Sequence, residues 1–207
     1  MNELILIRHG QAEHLINDIS GGWTDTKLTE LGKKQARFAG SRLKEFLDSK
    51  GLKIYSSDLS RALETAEIIS SIMYIEFSSS KDLRELNTGK AINLTQTEAD
   101  RIRQPMTEPL LDWIPYPEGE SWRMMHTRIK KFMESLDIDE SETVLLVTHG
   151  GPLIVLVHIW LELPEEFFSK VSYQFDPCSI TRLGINKHGE KTIYNLNDTA
   201  HLTKLMQ

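Results

Sequence analysis

Two histidines in this chain each follow a short apolar run and each precede a glycine. His9 comes after Leu4, Ile5, Leu6, Ile7 and Arg8; His149 comes after Val144, Leu145, Leu146, Val147 and Thr148 and is followed by Gly150 and Gly151. Imidazole is neutral near pH ~7, and one ring nitrogen can attack while a hydrogen bond fixes the other. Beside it, Arg8 offers an always-charged planar fork for phosphoryl oxygens. A histidine at a strand end can merely satisfy backbone groups. Two of them, with an arginine adjoining one, suggest a phosphate-handling site built on imidazole.

The elements that must position these residues follow from the same runs. Both runs have the pattern of short, fully buried strands of a parallel sheet covered on both faces. Chemistry in such sheets gathers at the carboxyl edge of the strands. Thr29 is a cap for a helix predicted over 30–49, with Leu31, Ala39, Leu43, Phe46 and Leu47 on one stripe and Gly51 as its stop. Lys53, Ile54 and Tyr55 form a short strand, after which Ser57 or Asp58 caps a second helix. Leu59, Ala62, Leu63, Ala66 and Ile69 are its apolar face. Arg61 lies in the first turn and off that stripe, free to face the strand ends.

A further strand is expected over 75–78. From 86 to 117 the pattern weakens and prolines gather at 105, 109, 115 and 117, which predicts an irregular excursion with one short helix over 95–102. Segments of this kind often serve as lids or substrate loops. Trp122, Met125, Ile129, Phe132, Met133 and Leu136 recur at helical steps, so Trp122 and the Met124–Met125 pair read as core or near-core. A buried helix from Leu153 and strands over 179–183 and 191–195 complete the pattern. Strands alternating with helices predict an α/β fold, a single three-layer domain over 1–207 whose mainly parallel sheet is flanked by helices, with the excursion over 86–117 as an irregular cap.

Composition narrows the partners. The chain has 207 residues, a net charge of -6 and one cysteine, Cys178. This length suits one well-buried core. The acidic balance argues against a broad nucleic-acid surface or an anionic membrane, so an anionic substrate would need a local cationic cluster. A lone cysteine allows no disulfide within the chain and points to a reducing, cytoplasmic home. The first residues lack the basic flank and apolar length of a signal peptide, and the apolar stretch over 153–163 is far short of a membrane span. No zinc or calcium ligand spacing is present, so no metal or other cofactor is expected.

Four motifs occur in order: Arg8, His9 and Gly10; Ser56 through Ala62 with Thr65 and Ala66; Leu83, Arg84 and Glu85; and Thr148, His149, Gly150 and Gly151. Together they resemble the histidine phosphatase superfamily, the phosphoglycerate-mutase-like proteins, over residues 4 to about 184. The resemblance implies a phosphoglycerate-mutase-like fold and a two-step phosphoryl transfer through a phosphohistidine on His9. Arg8, Arg61, His149 and Gly22 would hold the phosphate, with His149 donating from the side opposite the arginines and the start of the Arg61 helix adding free amides. Glu85 stands where the family places its proton donor, and the same carboxylate would then activate water. His9, Glu85 and His149 are the catalytic candidates.

Two positions depart from the family pattern. Many members carry serine or threonine two residues past the glycine, and mutases carry asparagine three further on; here these are Ala12 and Leu15. Asn17 or the backbone around Gly21 and Gly22 is the candidate replacement. The acid is followed by Gly89, Lys90, Ala91, Ile92 and Asn93, without the carboxylate often found there. The excursion offers Lys90, Arg101, Arg103 and one tyrosine, Tyr116, a thin set for gripping a carboxylated phosphoester. The expected function is therefore a metal-independent phosphomonoesterase acting on a small-molecule phosphoester. The alternatives are a phosphoglycerate mutase and a low-turnover phosphate-binding regulatory module. His14, His126, His158, His188 and His201 read as structural or surface residues, and Lys33 with Lys34 as a solvated face. Residues 197–202 resemble a tail of some members. Neither the natural substrate nor the oligomeric state is legible.

Overall fold

Along the chain the elements are β1 (Glu3–Arg8), α1 (Glu30–Phe46), β2 (Leu52–Ser57), α2 (Ser60–Met73), β3 (Phe77–Ser80), α3 (Gln96–Arg101), α4 (Trp122–Ser135), β4 (Thr143–Thr148), α5 (Gly150–Trp160), β5 (Ile180–Ile185) and β6 (Lys191–Asp198). They are described by a computed structural model covering residues 1–140 and 142–205. The strands form one six-stranded sheet in the order β3-β2-β4-β1-β5-β6. β1, β2, β3 and β4 pair in parallel, while β5 and β6 join antiparallel at one edge.

Alternation along the strands builds two apolar layers. Ile5 and Ile7 of β1, with Leu145 and Val147 of β4, pack against Ala36, Ala39 and Leu43 of α1 and Ala62, Ala66 and Ile69 of α2. Leu4, Leu6, Val144 and Leu146 point the other way, onto Met125, Ile129 and Phe132 of α4 and Leu153, Leu156 and Val157 of α5. Both faces are thus covered, which is why the strand sequences are continuously apolar. The helices following β1 and β4 lie on opposite faces, although the two strands are neighbours. Between their carboxyl ends a crevice opens, the usual ligand site of an open α/β sheet. His9 and His149 stand there.

Several element boundaries differ from the sequence expectation. α1 ends at Phe46, where Leu47 turns to extended backbone, so Gly51 lies in the turn into β2 and does not stop the helix. Its buried stripe is Gly32, Ala36, Ala39, Gly40 and Leu43, while Leu31 is exposed, because small residues let α1 approach α2 closely. Leu59, and neither Ser57 nor Asp58, holds the capping position of α2; Ser57 Oγ accepts from the Leu59 N–H, and Asp58 pairs with Arg84. The third strand runs two residues later than expected. α5 begins at Gly150, so its first turn directly follows His149. Met124 is exposed although Met125 is fully buried.

The 86–117 segment is more ordered than its prolines suggest. Thr95 and Glu98 form a reciprocal capping box that starts α3, and single 3-10 turns occur at Gly89–Ala91 and Leu110–Asp112. This segment packs on the loop following β1: Ser20 N–H donates to the Leu94 carbonyl, Gln96 N–H to the Asp18 carbonyl, and Asn93 N–H to Thr24 Oγ1.

Candidate active site

The register of β1 on β4 sets Arg8 opposite Thr148, and the His9 N–H continues that pairing to the Thr148 carbonyl at 2.8 Å. The two imidazoles beyond these ends come to 5.0 Å between ring centroids. His9 Nδ1 donates to the Gly10 carbonyl at 2.7 Å, which leaves a lone pair on Nε2. Between the rings sits Arg61, from the first turn of α2 and only 1% exposed. Its Nε lies 3.3 Å from His9 Nε2 and 3.2 Å from His149 Nδ1. A guanidinium only donates, so both facing nitrogens are acceptors. His149 Nε2 therefore carries the hydrogen and donates to Ser57 Oγ at 2.8 Å. In this arrangement the donor edge of His149 faces Ser57, and its acceptor edge faces Arg61.

Arg61 keeps its charge without a carboxylate partner in its hydrogen bonds. Nη1 donates to the Thr24 carbonyl and Nη2 to the Gly22 carbonyl, each at 2.7 Å. Gly22 thus meets the cluster through its carbonyl oxygen. Its φ of +59° is left-handed, and a Cβ there would fall 2.5 Å from the Thr88 side chain, so glycine is required. Burial pushes Arg61 down to about 10, against the pull of Glu85 and Asp25, so it stays a cation at neutral pH. Arg8 donates from Nη1 to the Phe175 carbonyl at 2.6 Å and leaves its buried Nε without a partner. Burial first, then the charges of Arg61 and Arg8, hold His9 well below the usual histidine range. His149 is depressed likewise, by burial and then by Arg61. The result is two neutral imidazoles facing two retained positive charges, a setting made for a multiply charged anion.

Glu85 enters from the loop after β3. Its Oε2 accepts from Gly151 N–H at 3.1 Å and its Oε1 from Leu86 N–H at 2.8 Å. Its backbone carbonyl accepts from Trp23 Nε1 at 2.7 Å and from Arg128 Nη2 at 2.9 Å. Arg128 also grips the carboxylate of Glu120 through Nε and Nη2, at 2.8 and 3.0 Å, binding α4 to this loop. Gly151 makes room: a Cβ there would lie 2.2 Å from Glu85 Oε1. Trp23, Glu120 and Arg128 were not singled out in the sequence, because nothing local marks contacts so distant along the chain.

The start of α2 offers fewer amides than expected. Ser60 N–H and Oγ are taken by the Asp25 carboxylate, and the Ala62 and Leu63 N–H groups by the Leu59 carbonyl. At the two apolar departures, Ala12 is fully buried and Leu15 exposed. Asn17 is exposed. His14, expected to be structural or on the surface, instead lies with its ring centroid 5.8 Å from that of His9. Its short distance along the chain from His9 was the available signal. His126 and His158 pack with Phe168, His201 Nε2 bonds the Cys178 carbonyl, and His188 is exposed. In the excursion, Lys90 is paired with Glu118, Arg103 lies over Trp113, and Tyr116 is buried.

Among the described residues, no group of three or more His, Cys, Asp or Glu side chains could hold a metal ion. No helix there is long and apolar enough to cross a membrane. Comparison with known proteins gives a consistent picture. The family model described as histidine phosphatase superfamily (branch 1) matches residues 4–199. A Hydrogenobacter thermophilus protein provisionally named phosphoserine phosphatase 2 is 30% identical over 211 residues, covering 99% of this chain and 100% of that one. An Escherichia coli K12 protein provisionally named phosphoglycerate mutase GpmB is 32% identical over 189 residues, 88% of this chain and 85% of its own. Among solved structures, mycobacterial glucosyl-3-phosphoglycerate phosphatase in complex with VO3 superposes with a TM-score of 0.80 at 27% identity, covering 96% of this chain and 100% of that one. Bacillus stearothermophilus YhfR gives 0.77 at 28% identity, covering 98% and 100%.

Proposed function

This chain belongs to the histidine phosphatase superfamily, branch 1, and from that premise we propose that it is a metal-independent phosphomonoesterase working through a phosphohistidine on His9. The observation that carries this reading is the buried Arg61 guanidinium set between two neutral imidazoles, its hydrogen bonds going to carbonyl and ring acceptors and not to a carboxylate. Burying such a charge is expensive unless an anion uses it.

In the first step His9 Nε2 attacks phosphorus and the bond to the leaving oxygen breaks. Glu85 gives that oxygen a proton, so an alcohol departs and not an alkoxide. Arg8, Arg61 and His149 hold the non-bridging oxygens, where transition-state charge is spread. For His149 this requires a proton on the nitrogen that now accepts from Arg61, or a turn of the ring. In the second step water attacks the phosphoryl group, Glu85 takes its proton, the N–P bond breaks, and inorganic phosphate leaves. Dividing the displacement in two lowers each barrier.

Hydrolysis is favoured over mutase action because two of the three basic residues of the excursion are engaged by neighbouring side chains: Lys90 by Glu118 and Arg103 by Trp113. The segment over 86–117 acts as a cap beside the leaving-group side, which suits a small phosphoester. Steady-state product analysis tests the reading. With chelator present, the protein should release free phosphate from a panel of phosphomonoesters, and His9→Ala should lose at least about a thousandfold. Equal turnover by His9→Ala would overturn it, as would movement of phosphate within phosphoglycerate without release.

A further inference from the structure

We propose that His14 is a phosphate-binding residue of this site, donating from Nε2 to a non-bridging oxygen of the phosphoryl group held at His9. The inference rests on the reading of His9 as nucleophile and adds a ligand to it. The two nearby positions at which a polar contact was expected, Ala12 and Leu15, supply none: one is an apolar buried methyl and the other a leucine turned toward solvent. The loop between them presents His14 instead.

Four observations support the assignment. The ring stands 5.8 Å from the His9 ring, centroid to centroid, tilted by 55°. Its orientation is fixed: Nδ1 bonds the buried Thr26 Oγ1 at 2.8 Å. On the other side the ring packs on Gly21, where a Cβ would lie 3.2 Å from Cδ2 and 3.6 Å from Nε2. The charged groups that reach it are the cations Arg61, from α2, and Arg8, from the end of β1. His9 and His149, from the ends of β1 and β4, complete its titratable surroundings.

Thr26 suits both protonation states of such a ligand. A hydroxyl donates to Nδ1 of the neutral ring and accepts from Nδ1–H of the charged one. In the protein without phosphate, burial and then the two arginines bring His14 down to about 4. A phosphoryl dianion offsets the two arginine charges, so the pKa of His14 rises as the anion arrives and, once the ring takes up a proton, the contact becomes charge-assisted.

The test uses inorganic phosphate as probe, with wild type, His14→Ala and His14→Gln. Calorimetry should give phosphate affinity about tenfold weaker for His14→Ala. KM for p-nitrophenyl phosphate should rise by a similar factor, with kcat changed less. His14→Gln, whose amide reaches the Nε2 position, should recover most of the loss. In wild type, 15N NMR of the His14 ring should record its pKa rising on phosphate addition, a readout that needs no variant. Unchanged phosphate affinity in His14→Ala, or no shift of the His14 resonance with phosphate bound, would overturn the proposal. Absence of turnover in wild type would instead overturn the phosphatase reading, and the binding measurements would still decide the role of His14.

Discussion

At the scale of residues, the central feature is a neutral imidazole held among positive charges. Burial and the arginine charges keep His9 unprotonated, and the Gly10 carbonyl keeps the remaining hydrogen on Nδ1. Nε2 is thereby available to attack without a general base to strip it first. The pH consequence has a definite sign. In the unfolded chain a histidine takes up a proton near pH ~6.5; in the fold His9 does so only at much lower pH. Between those limits the folded protein binds fewer protons, so this group's contribution to stability is full above pH about 6.5 and declines as pH falls through the window. The nucleophilic form correspondingly persists into mild acid. In 15N NMR of the phosphate-free protein, His9 should be the neutral Nδ1–H tautomer at about pH 6, where a free histidine is mostly charged. An imidazolium signal there would contradict the electrostatic argument.

At the scale of elements, the start of α5 couples the second histidine to the acid. His149 occupies the capping position of the helix, and two residues on Gly151 gives its N–H to Glu85. The absence of a side chain at Gly151 is what allows the carboxylate to sit there. Gly151→Ala should therefore displace Glu85 while leaving both imidazoles in place, and should reproduce the kinetics of Glu85→Gln. Both variants should lose more on alkyl phosphates, whose leaving group needs a proton, than on p-nitrophenyl phosphate. Losses equal on the two substrates would remove Glu85 from proton transfer.

Most of these elements were legible from pattern alone. The runs before His9 and His149 are strands because they are apolar on both faces, Thr29 caps α1 as expected, and the short helix expected over 95–102 is α3, with Thr95 as its cap. The misreadings share a cause. The sequence places Ala39 and Leu43 on the buried stripe of α1, as found, but it leaves out Ala36 and Gly40, which the tight contact with α2 selects and whose small size carries little hydrophobic signal. α5 was expected to start at its first large apolar residue, yet the two glycines before it are already helical.

At the scale of the whole molecule, one crevice collects groups from four places in the chain. The neighbouring strands β1 and β4 send their following helices to opposite faces, and α2 points its first turn into the gap. The chain carries a net charge of -6, yet Arg8 and Arg61 make the crevice locally cationic. A cleft with low-dielectric walls focuses such a field, so an acidic protein can still draw a small anion to this spot. Arg61 was legible as a site residue because it falls off the apolar stripe of its helix. His14 was not, because its role depends on a loop folding back over Gly21, and no periodicity encodes that. The clamp of Arg128 on Glu120 and on the Glu85 loop likewise exists only once α4 has docked.

The claim that holds these scales together is that His9 becomes covalently phosphorylated. Rapid-quench mass spectrometry with a reactive phosphomonoester, on wild type beside His9→Ala, addresses it directly. One added phosphoryl group should map to His9, forming before free phosphate appears and decaying as it is released, with none on the variant. Phosphate release at full rate with no label on His9 at any quench time would contradict it.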